Sequence, residues 1–459
     1  MIISAAVLVA IVLLWWWWRS TPSQEPTPGV AQRTQPADPR TSANVARDPS
    51  PVVPEPQAEA AALKREAVAV ANQVAEAYPS DALSYALLGS AYYNTGQSEE
   101  ATRHLKRCLE LNPGQADAYG ILARVAYEKG DLEESVRLSH EALKHAPTNP
   151  EVLIQLGRAL MDLGRATDAR QVLEQAVRQP GPVSECYYLL GQANLQSGNH
   201  AIAKENFLQA IALLPDHTQA FFGVYTACLR LGQTEEAAQY REQFLKLEAI
   251  DRRTLTDRSA QQDTLSGLPL VRKTVARTFF GAAQVHRLHE QLGKASELLR
   301  KAAALDAESP VYRSALEALY TQRNAVAEGV VAFEQLAADQ PENSLNYFFL
   351  GRLHDRLKQF EAAERAYRKV QQLAPAWPEG YRALADLYLR ANLRPGDART
   401  MARRALELDP SGPHYYLLAV ACLKNNDRAA ALEAIEQAVT LDPDEARYRT
   451  FLEQLKGTP

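Results

Sequence analysis

The sequence predicts an all-α protein, a solenoid of about ten 34-residue helix–turn–helix repeats preceded by one transmembrane helix and a disordered linker. Three observations lead to this prediction. Glycine and leucine recur with a constant period over most of the chain. Residues 1–18 carry neither charge nor proline, and proline is concentrated in the segment that follows them.

Residues 1–18 are expected to form a transmembrane anchor. A helix of that length is about 27 Å long, close to the hydrocarbon thickness of a bilayer. A tryptophan run ends at Trp18 and is followed by Arg19, which suits a membrane interface. A cleavable signal peptide is the alternative, but no basic residue precedes the apolar run and no small-residue cleavage motif follows it. We therefore expect a single-pass membrane protein that contacts the bilayer through residues 1–18, with the side of its body undecided.

Residues 19–57 are expected to be a disordered tether. Nine of the 26 prolines of the chain lie between Pro22 and Pro56, and no hydrophobic periodicity runs through the segment. Such a composition cannot bury enough apolar surface to offset the entropy of ordering the chain. The segment would space the folded body from its anchor.

The remainder of the chain follows the 34-residue period. In residues 82–115, apolar and small side chains fall on one face of a first helix, a glycine turn follows, and a second helix ends at proline. The marks of the period include Gly96, Gly130, Gly164, Gly198 and Gly232, and further on Leu316, Leu350, Leu384 and Leu418.

This pattern of large–x–x–Leu–Gly–x–x–Tyr, Ala and Pro landmarks resembles the tetratricopeptide repeat family. The resemblance implies a right-handed α–α superhelix. With the expected anchor, it is a resemblance to the membrane-anchored bacterial type of the family and implies a place in the bacterial inner membrane. It divides the chain into an anchor (1–18), a linker (19–57), an N-terminal cap helix (58–81), a first array of five repeats (82–251), an insertion (252–275), a second array of five repeats (276–445) and a C-terminal cap helix (446–459).

Some units depart from the pattern, and they lie near the insertion. The seventh unit is the most divergent, with Arg313, Glu317, Asn324 and Gly329 at landmark positions. The insertion contains Ser266 to Pro269, whose composition predicts a turn. We expect the superhelix to be interrupted here.

The sequence offers no catalytic or metal-binding motif. Its four cysteines form no CxxC pair, and His286 with His289 lacks a third ligand. Nucleotide-binding and hydrolase motifs are absent, and a net charge of −5 argues against a nucleic-acid partner. We therefore expect no enzymatic activity and no cofactor.

The resemblance implies that the first helix of each repeat lines a concave groove, with positions 2, 5, 9, 12 and 13 facing a ligand. Aromatic and arginine side chains there are typical of interface anchors, and arginine suits an acidic peptide. In the first array these residues are Tyr93, Arg124, Tyr127, Arg158, Tyr188, Gln192 and Phe222. In the second they are Phe280, Arg287, Phe348, Arg352, Arg356, Arg382, Arg390 and Tyr416. The asparagines that chaperone-tail binders of the family carry at position 9 are absent.

Two functions remain open. The first is a membrane-tethered, non-catalytic scaffold that binds a partner protein segment in its groove, with a role in cell-envelope assembly. The second is a non-catalytic subunit of an envelope enzyme complex, of the cytochrome-maturation or polysaccharide-export type. The sequence leaves the partner and the oligomeric state unspecified.

Overall fold

The computed structural model of the protein describes residues 56–179, 181, 183–260 and 267–457. For residues 56 and 253–260 it describes the backbone and not the side chains. These described residues form 22 α-helices and contain no strand. The finding agrees with the predicted helical repeat solenoid. The helices of the first half are α1 (Pro56–Ala77), α2 (Ala82–Asn94), α3 (Ser98–Leu111), α4 (Ala116–Glu128), α5 (Leu132–His145), α6 (Pro150–Asp162), α7 (Ala166–Val177), α8 (Ser184–Gln196), α9 (His200–Leu213), α10 (Thr218–Arg230) and α11 (Thr234–Ala260).

The second half continues the pattern of antiparallel helix pairs. Its helices are α12 (Leu268–Leu288), α13 (Leu292–Leu305), α14 (Pro310–Gln322), α15 (Val326–Asp339), α16 (Ser344–Arg356), α17 (Phe360–Leu373), α18 (Pro378–Arg390), α19 (Pro395–Leu408), α20 (Gly412–Lys424), α21 (Arg428–Leu441) and α22 (Ala446–Gly457). Within each array every pair packs on the next, so the core of each array is a layer between neighbouring pairs.

The turn inside each pair needs one residue with positive φ. In the first array this residue is glycine, as at Gly96 with φ of 80°. In the second array it is never glycine among the described residues. Glu290, Asn324 and Lys358 adopt φ of 60°, 54° and 58°. Among the other residue types, asparagine adopts positive φ most readily. The tight turn therefore persists in the second array, although glycine no longer recurs at this position.

The transmembrane part of the predicted fold and the predicted localisation are corrected. None of the helices in the described part of the chain combines the length and the apolar character needed to cross a bilayer. The expected anchor, residues 1–18, and most of the expected linker lie outside the described residues. We therefore keep neither the preceding transmembrane helix nor the single-pass membrane assignment.

The predicted turn in the insertion is also wrong in part. Leu268 and Pro269 begin α12, where proline occupies a position at the helix N-terminus that lacks an intrahelical hydrogen bond in any case. Ser266 lies outside the described residues. Helix α11 continues to Ala260, so most of the predicted insertion extends the helices on its two sides.

The N-terminal helix α1 packs against both arrays. Its fully buried Ala71 clusters with Leu88 of α2, whereas its fully buried Val74 belongs to the core of the second array, with Phe279 of α12. Helix α12 in turn packs on α1 and α2. Helix α1 therefore packs on the first repeat of each array. In the sequence, those two repeats are separated by the rest of the first array.

Polar contacts reinforce this junction. The Tyr78 hydroxyl and His286 Nδ1 are 2.9 Å apart, and the Tyr78 ring stacks on His289 with centroids 3.9 Å apart. His289 Nε2 lies 2.8 Å from a carboxylate oxygen of Asp81. Burial lowers the pKa of His286, so its neutral form is favoured. His286 and His289, which lack a third metal ligand in the sequence, thus form part of the contact between α12 and the segment that follows α1.

Close helix approach depends on two glycines around one ring. Phe207, 1% exposed, lies between Gly191 of α8 and Gly223 of α10. A Cβ added at Gly223 would lie 2.6 Å from the Phe207 ring, and one at Gly191 would lie 2.7 Å from it. The missing side chains make room for phenylalanine between consecutive repeats.

We predict that Gly223→Ala destabilises the first array by about 1–3 kcal/mol, because the Phe207 ring must move within a filled core. The measurement is urea-induced unfolding followed by circular dichroism. Gly293→Ala is the matched control, since a Cβ there meets nothing within 4 Å, and it should be neutral or stabilising. Equal stability of the two variants would contradict the packing argument.

Candidate partner-binding groove

The first helices of the first array, α2, α4, α6 and α8, lie side by side and line a concave face. Helix α12 of the second array joins this row next to α2. A cavity of about 720 Å³ lies on the face, with walls from all five helices. Its apolar lining includes Leu83, Leu87 and Ile154, which are half-buried. The closing wall comes from α12, through Arg277, Gly281, Gln284 and Val285.

Gly281 allows α12 to reach α2. A Cβ built on Gly281 would lie 2.9 Å from Leu87 Cδ1, so the two helices meet there with almost no space between them. The groove of the first array thus ends against a helix of the second.

Two predicted groove residues, Tyr93 and Tyr127, join neighbouring repeats at one edge of the face. The Tyr93 hydroxyl donates a hydrogen bond to Glu128 Oε1 at 2.5 Å, and the Tyr127 hydroxyl donates one to Asp162 Oδ2 at 2.5 Å. Burial, together with the carboxylate acceptor, raises the pKa of each tyrosine to about 12. The two phenols therefore stay neutral donors and tie each carboxylate to the preceding repeat.

We predict that this pair of bonds makes stability fall at alkaline pH. The tyrosine pKa is near 10 in the unfolded chain and higher in the fold, so the contribution is complete below about pH 10 and is lost as pH rises through about 12. The double variant Tyr93→Phe/Tyr127→Phe should lose less stability than the wild type over this range in urea titrations. If the free energy of unfolding depends on pH in the same way in both proteins, the stabilising role of these two hydrogen bonds is contradicted.

The two predicted arginines of the first array differ in their partners. Arg158 Nη2 lies 3.0 Å from Glu185 Oε1 of the next repeat. Arg124 has no ion-pair partner among the described residues, and its guanidinium lies 5.0 Å from the centre of the Tyr93 ring. Both arginines line the cavity.

The other predicted residues of the first array lie further along it. Gln192 Nε2 donates to the Tyr188 hydroxyl at 2.8 Å, and the Tyr188 ring packs near Phe207. Phe222 is 45% exposed and contacts Phe244 of α11, with centroids 5.2 Å apart. None of these three lines the cavity.

The predicted arginines of the second array are mostly neutralised. Glu317, whose side chain is 4% exposed, accepts from Arg352 at 3.2 Å and from Arg356 at 3.5 Å. Burial raises the pKa of Glu317, and the two guanidinium groups oppose that shift. Arg390 lies 2.6 Å from Asp355, and Arg382 pairs with Glu379 and Asp386. These arginines act first as links between or within repeats.

Of the remaining predicted residues, the aromatics mainly pack within the array. Phe348 is 8% exposed and lies 4.9 Å from Trp377, centroid to centroid. Phe280 packs on Tyr312, and Tyr416 packs on Tyr448. Arg287 is exposed and donates to Gln284 at 2.9 Å. Fewer of the predicted side chains of the second array are therefore available to contact a partner than the sequence indicated.

Sequence reasoning missed Arg277 and Gln155. Arg277 is exposed, lines the cavity and has no ion pair among the described residues. Gln155 is 8% exposed and also lines the cavity, and its Nε2 has no hydrogen-bond partner in the part of the chain that the structure describes. Arg277 is the second residue of its repeat, one of the positions that the resemblance implies to be ligand-facing, but nothing in the sequence indicated that it faces the groove of the other array.

The cysteines and titratable clusters add no reactive centre to the described part of the chain. All four cysteines are free and buried, and burial raises the pKa of the Cys108 and Cys186 thiols to about 11. No group of three metal-ligating side chains occurs among the described residues.

Fold and groove together define an α-helical repeat protein that presents a concave face. Tetratricopeptide-repeat models match residues 126–193, 188–247, 346–376 and 382–446. A model described as the tetratricopeptide repeat protein 21 second ARM domain matches residues 42–130. These matches support membership of the tetratricopeptide repeat family. They do not support the narrower membrane-anchored bacterial type that we expected.

The solved structures that match the chain are distant from it in sequence. MamA 41-end from Desulfovibrio magneticus RS-1 is 22% identical and has a TM-score of 0.35, with 37% of this chain and 95% of that one covered. Yeast Tom70 is 16% identical, with a TM-score of 0.36 and coverage of 83% and 96%. Pseudomonas aeruginosa pilF is 22% identical, with a TM-score of 0.33 and coverage of 53% and 97%. No curated protein matches the chain.

Proposed function

We propose that the protein is a non-catalytic scaffold that binds a segment of a partner protein in the groove formed by α2, α4, α6, α8 and α12. The observation that carries the proposal is the cavity of about 720 Å³ on a concave, partly apolar face. Such a volume is typical of sites that enclose a ligand, and a helical solenoid presents such a face on a rigid frame.

The groove has the features of a recognition site rather than a reaction site. Leu83 and Ile154 supply apolar walls, while Arg124 supplies a charge with no carboxylate partner among the described residues. Arginine side chains beside an apolar centre are frequent anchors of protein interfaces. The coarse function, protein–protein interaction, is also the one that tetratricopeptide repeats support.

Site-specific photo-crosslinking in the source cells tests this proposal. A photoreactive amino acid at Leu83 or at Ile154 should crosslink to the same short segment of one partner, identified by mass spectrometry of the joined peptides. The same group at Lys106 or at Arg300, exposed residues on second helices outside the cavity, is the control. Recovery of that segment equally from the control positions, or from neither cavity position, would refute a groove-binding function.

A further inference from the structure

We propose that the protein self-associates through the end of its first array, where helix α11 packs antiparallel on α11 of a second copy. This surface lies on α10 and α11, apart from the groove, so the inference goes beyond the proposed function and does not depend on it. It follows from a helix face that is covered in the preceding repeat and at the end of the second array, but is open here.

The end of the first array is not covered by another repeat. Helix α11 packs on α10, and no other helix in the described part of the chain packs extensively on it. Leu195 and Ile211 of the preceding repeat are partly buried against the core that they share with α10. Their counterparts one period of 34 residues later, Leu229 and Leu245, are 48% and 46% exposed. The face that would receive a further repeat is therefore open to solvent.

The end of the second array shows what covers such a face in this protein. Helix α22 follows the last helix pair and contributes Tyr448, 2% exposed, to the core there. Tyr416 stacks on Tyr448 with ring centroids 5.2 Å apart, and Val439 is partly buried in the same cluster. In the tenth repeat, Tyr416 and Val439 hold the positions that Phe222 and Leu245 hold in the fifth. The element that fits such a face is thus a single packed helix.

The chain next to α11 is too short to supply that helix. Six residues, 261–266, separate Ala260 at the end of α11 from Gly267, which directly precedes α12. Helix α22, by comparison, has 12 residues. A covering helix therefore comes from a distant part of the chain or from another molecule.

The exposed face of α11 is complementary to itself. Residues three and four positions apart lie on one face of a helix. In α11 such a stripe of exposed residues consists of Glu235, Ala238, Glu242, Leu245, Ala249 and Arg252. When two copies of the helix run antiparallel about a two-fold axis, Glu235 of one lies opposite Arg252 of the other, and Ala238 lies opposite Ala249. The small alanine side chains let the two helices approach closely.

The charges of the stripe favour a second copy as the occupant. Glu235 lies in the first turn of α11, and Arg252, whose side chain is 74% exposed, lies near the other end of the stripe. The antiparallel pair brings each glutamate next to an arginine, and the two-fold axis forms this contact twice. The part of the helix between them is neutral, with two basic and two acidic residues, Arg241, Lys246, Glu242 and Glu248.

Sedimentation of the purified full chain over a range of protein concentrations tests the inference. We expect a reversible dimer, and Leu245→Glu should weaken the association at least about tenfold, because it places a charge in the centre of the interface. Val331→Glu is the matched control, since Val331 is a 65% exposed apolar residue on α15. This variant should associate like the wild type.

A charge exchange tests the antiparallel arrangement. Glu235→Arg and Arg252→Glu should each weaken self-association, because like charges then meet at both ends of the pair. An equimolar mixture of the two variants should form a heterodimer of nearly wild-type affinity, since each contact regains opposite charges. Glu205→Arg, a change of the same charge at an exposed position of α9, should have no effect. Circular dichroism of each variant verifies that it is folded.

Cysteine pairs locate the contact. Under mild oxidation, a chain with Ala238→Cys should form a disulfide with a chain that carries Ala249→Cys. Neither variant should crosslink with itself, because eleven residues of helix, about 16 Å, separate the two positions. The four native cysteines are buried.

Each contrary result has a distinct meaning. A wild-type chain that stays monomeric, or an association that Leu245→Glu leaves unchanged, overturns the inference. Cysteine variants that crosslink with themselves and not with each other overturn the antiparallel pairing. A photoreactive amino acid at Leu245 that joins another protein, or residues 1–55 of the same chain, instead of α11 overturns the second copy as the occupant. The groove is tested separately, through Leu83 and Ile154, so these results leave the proposed function unaffected.

Discussion

Replacing Arg313 by alanine is expected to destabilise the second array by about 3–5 kcal/mol, because several buried acceptors lose their donor at once. Arg313 of α14 is fully buried. It donates to Asn346 Oδ1 at 2.7 Å, to the carbonyl oxygen of Ala303 at 3.0 Å and to Gln340 Oε1 at 3.1 Å. Two more carbonyl oxygens accept from it.

The guanidinium thus connects α13, α14 and the two helices that follow. Burial lowers the pKa of Arg313 to about 10, which still leaves it charged at neutral pH. Urea unfolding, monitored by circular dichroism and by hydrogen exchange of α13 to α16, measures the effect. Arg323→Ala on the same repeat removes a surface arginine whose nearest carboxylate, that of Glu328, is 3.8 Å away, and should change stability by less than about 1 kcal/mol. Similar losses in the two variants would contradict the structural role of Arg313.

Val74→Asp in α1 is expected to separate the two arrays while each stays helical. The Val74 side chain is fully buried in the core that α1 shares with α12, so aspartate there places a charge without a partner in an apolar site. We expect a cost of about 3–5 kcal/mol for that contact, and therefore faster amide exchange in α1 and α12 with little change in α16 to α21.

Gln73→Asp is the matched control, since it adds the same charge to the same helix at an exposed position. It should leave exchange in α12 unchanged. If Val74→Asp has no more effect on α12 than Gln73→Asp has, then α1 does not hold the second array in place.

The local architecture of the repeats was predictable from the sequence, because each helix pair is specified by residues within one period. The 34-residue spacing predicted the helical solenoid that the structure shows. The weak seventh unit was visible too, as Arg313 and Glu317 at apolar or small positions. What periodicity could not show is that these residues are satisfied by neighbouring repeats, since nothing in the sequence pairs Arg313 with Asn346 or Glu317 with Arg352.

The junction was not predictable, because contacts between distant segments leave no period. Nothing near Val74 or Gly281 indicates that α1 and α12 meet, and the turn predicted at Pro269 is instead the start of a helix. The candidate groove could therefore be assigned only repeat by repeat. That assignment included Arg124 and Arg158, which line the cavity, but it overlooked Gln155. The assignment also included the arginines of the second array among the ligand-binding residues, because the carboxylates that pair with them are recognisable only in three dimensions.

Disulfide trapping between α2 and α12 tests the central claim most directly, namely that a helix of the second array closes the groove of the first. The double variant Leu87→Cys/Gly281→Cys joins positions that are close enough for a disulfide, since a Cβ built on Gly281 lies 2.9 Å from Leu87 Cδ1, and the four native cysteines are buried. We predict rapid formation of an intramolecular crosslink under mild oxidation, seen as a mobility change on non-reducing gels. The pair Leu87→Cys/Val331→Cys, with Val331 65% exposed on α15, should not crosslink. A Leu87–Gly281 pair that crosslinks no faster than this control would contradict the account.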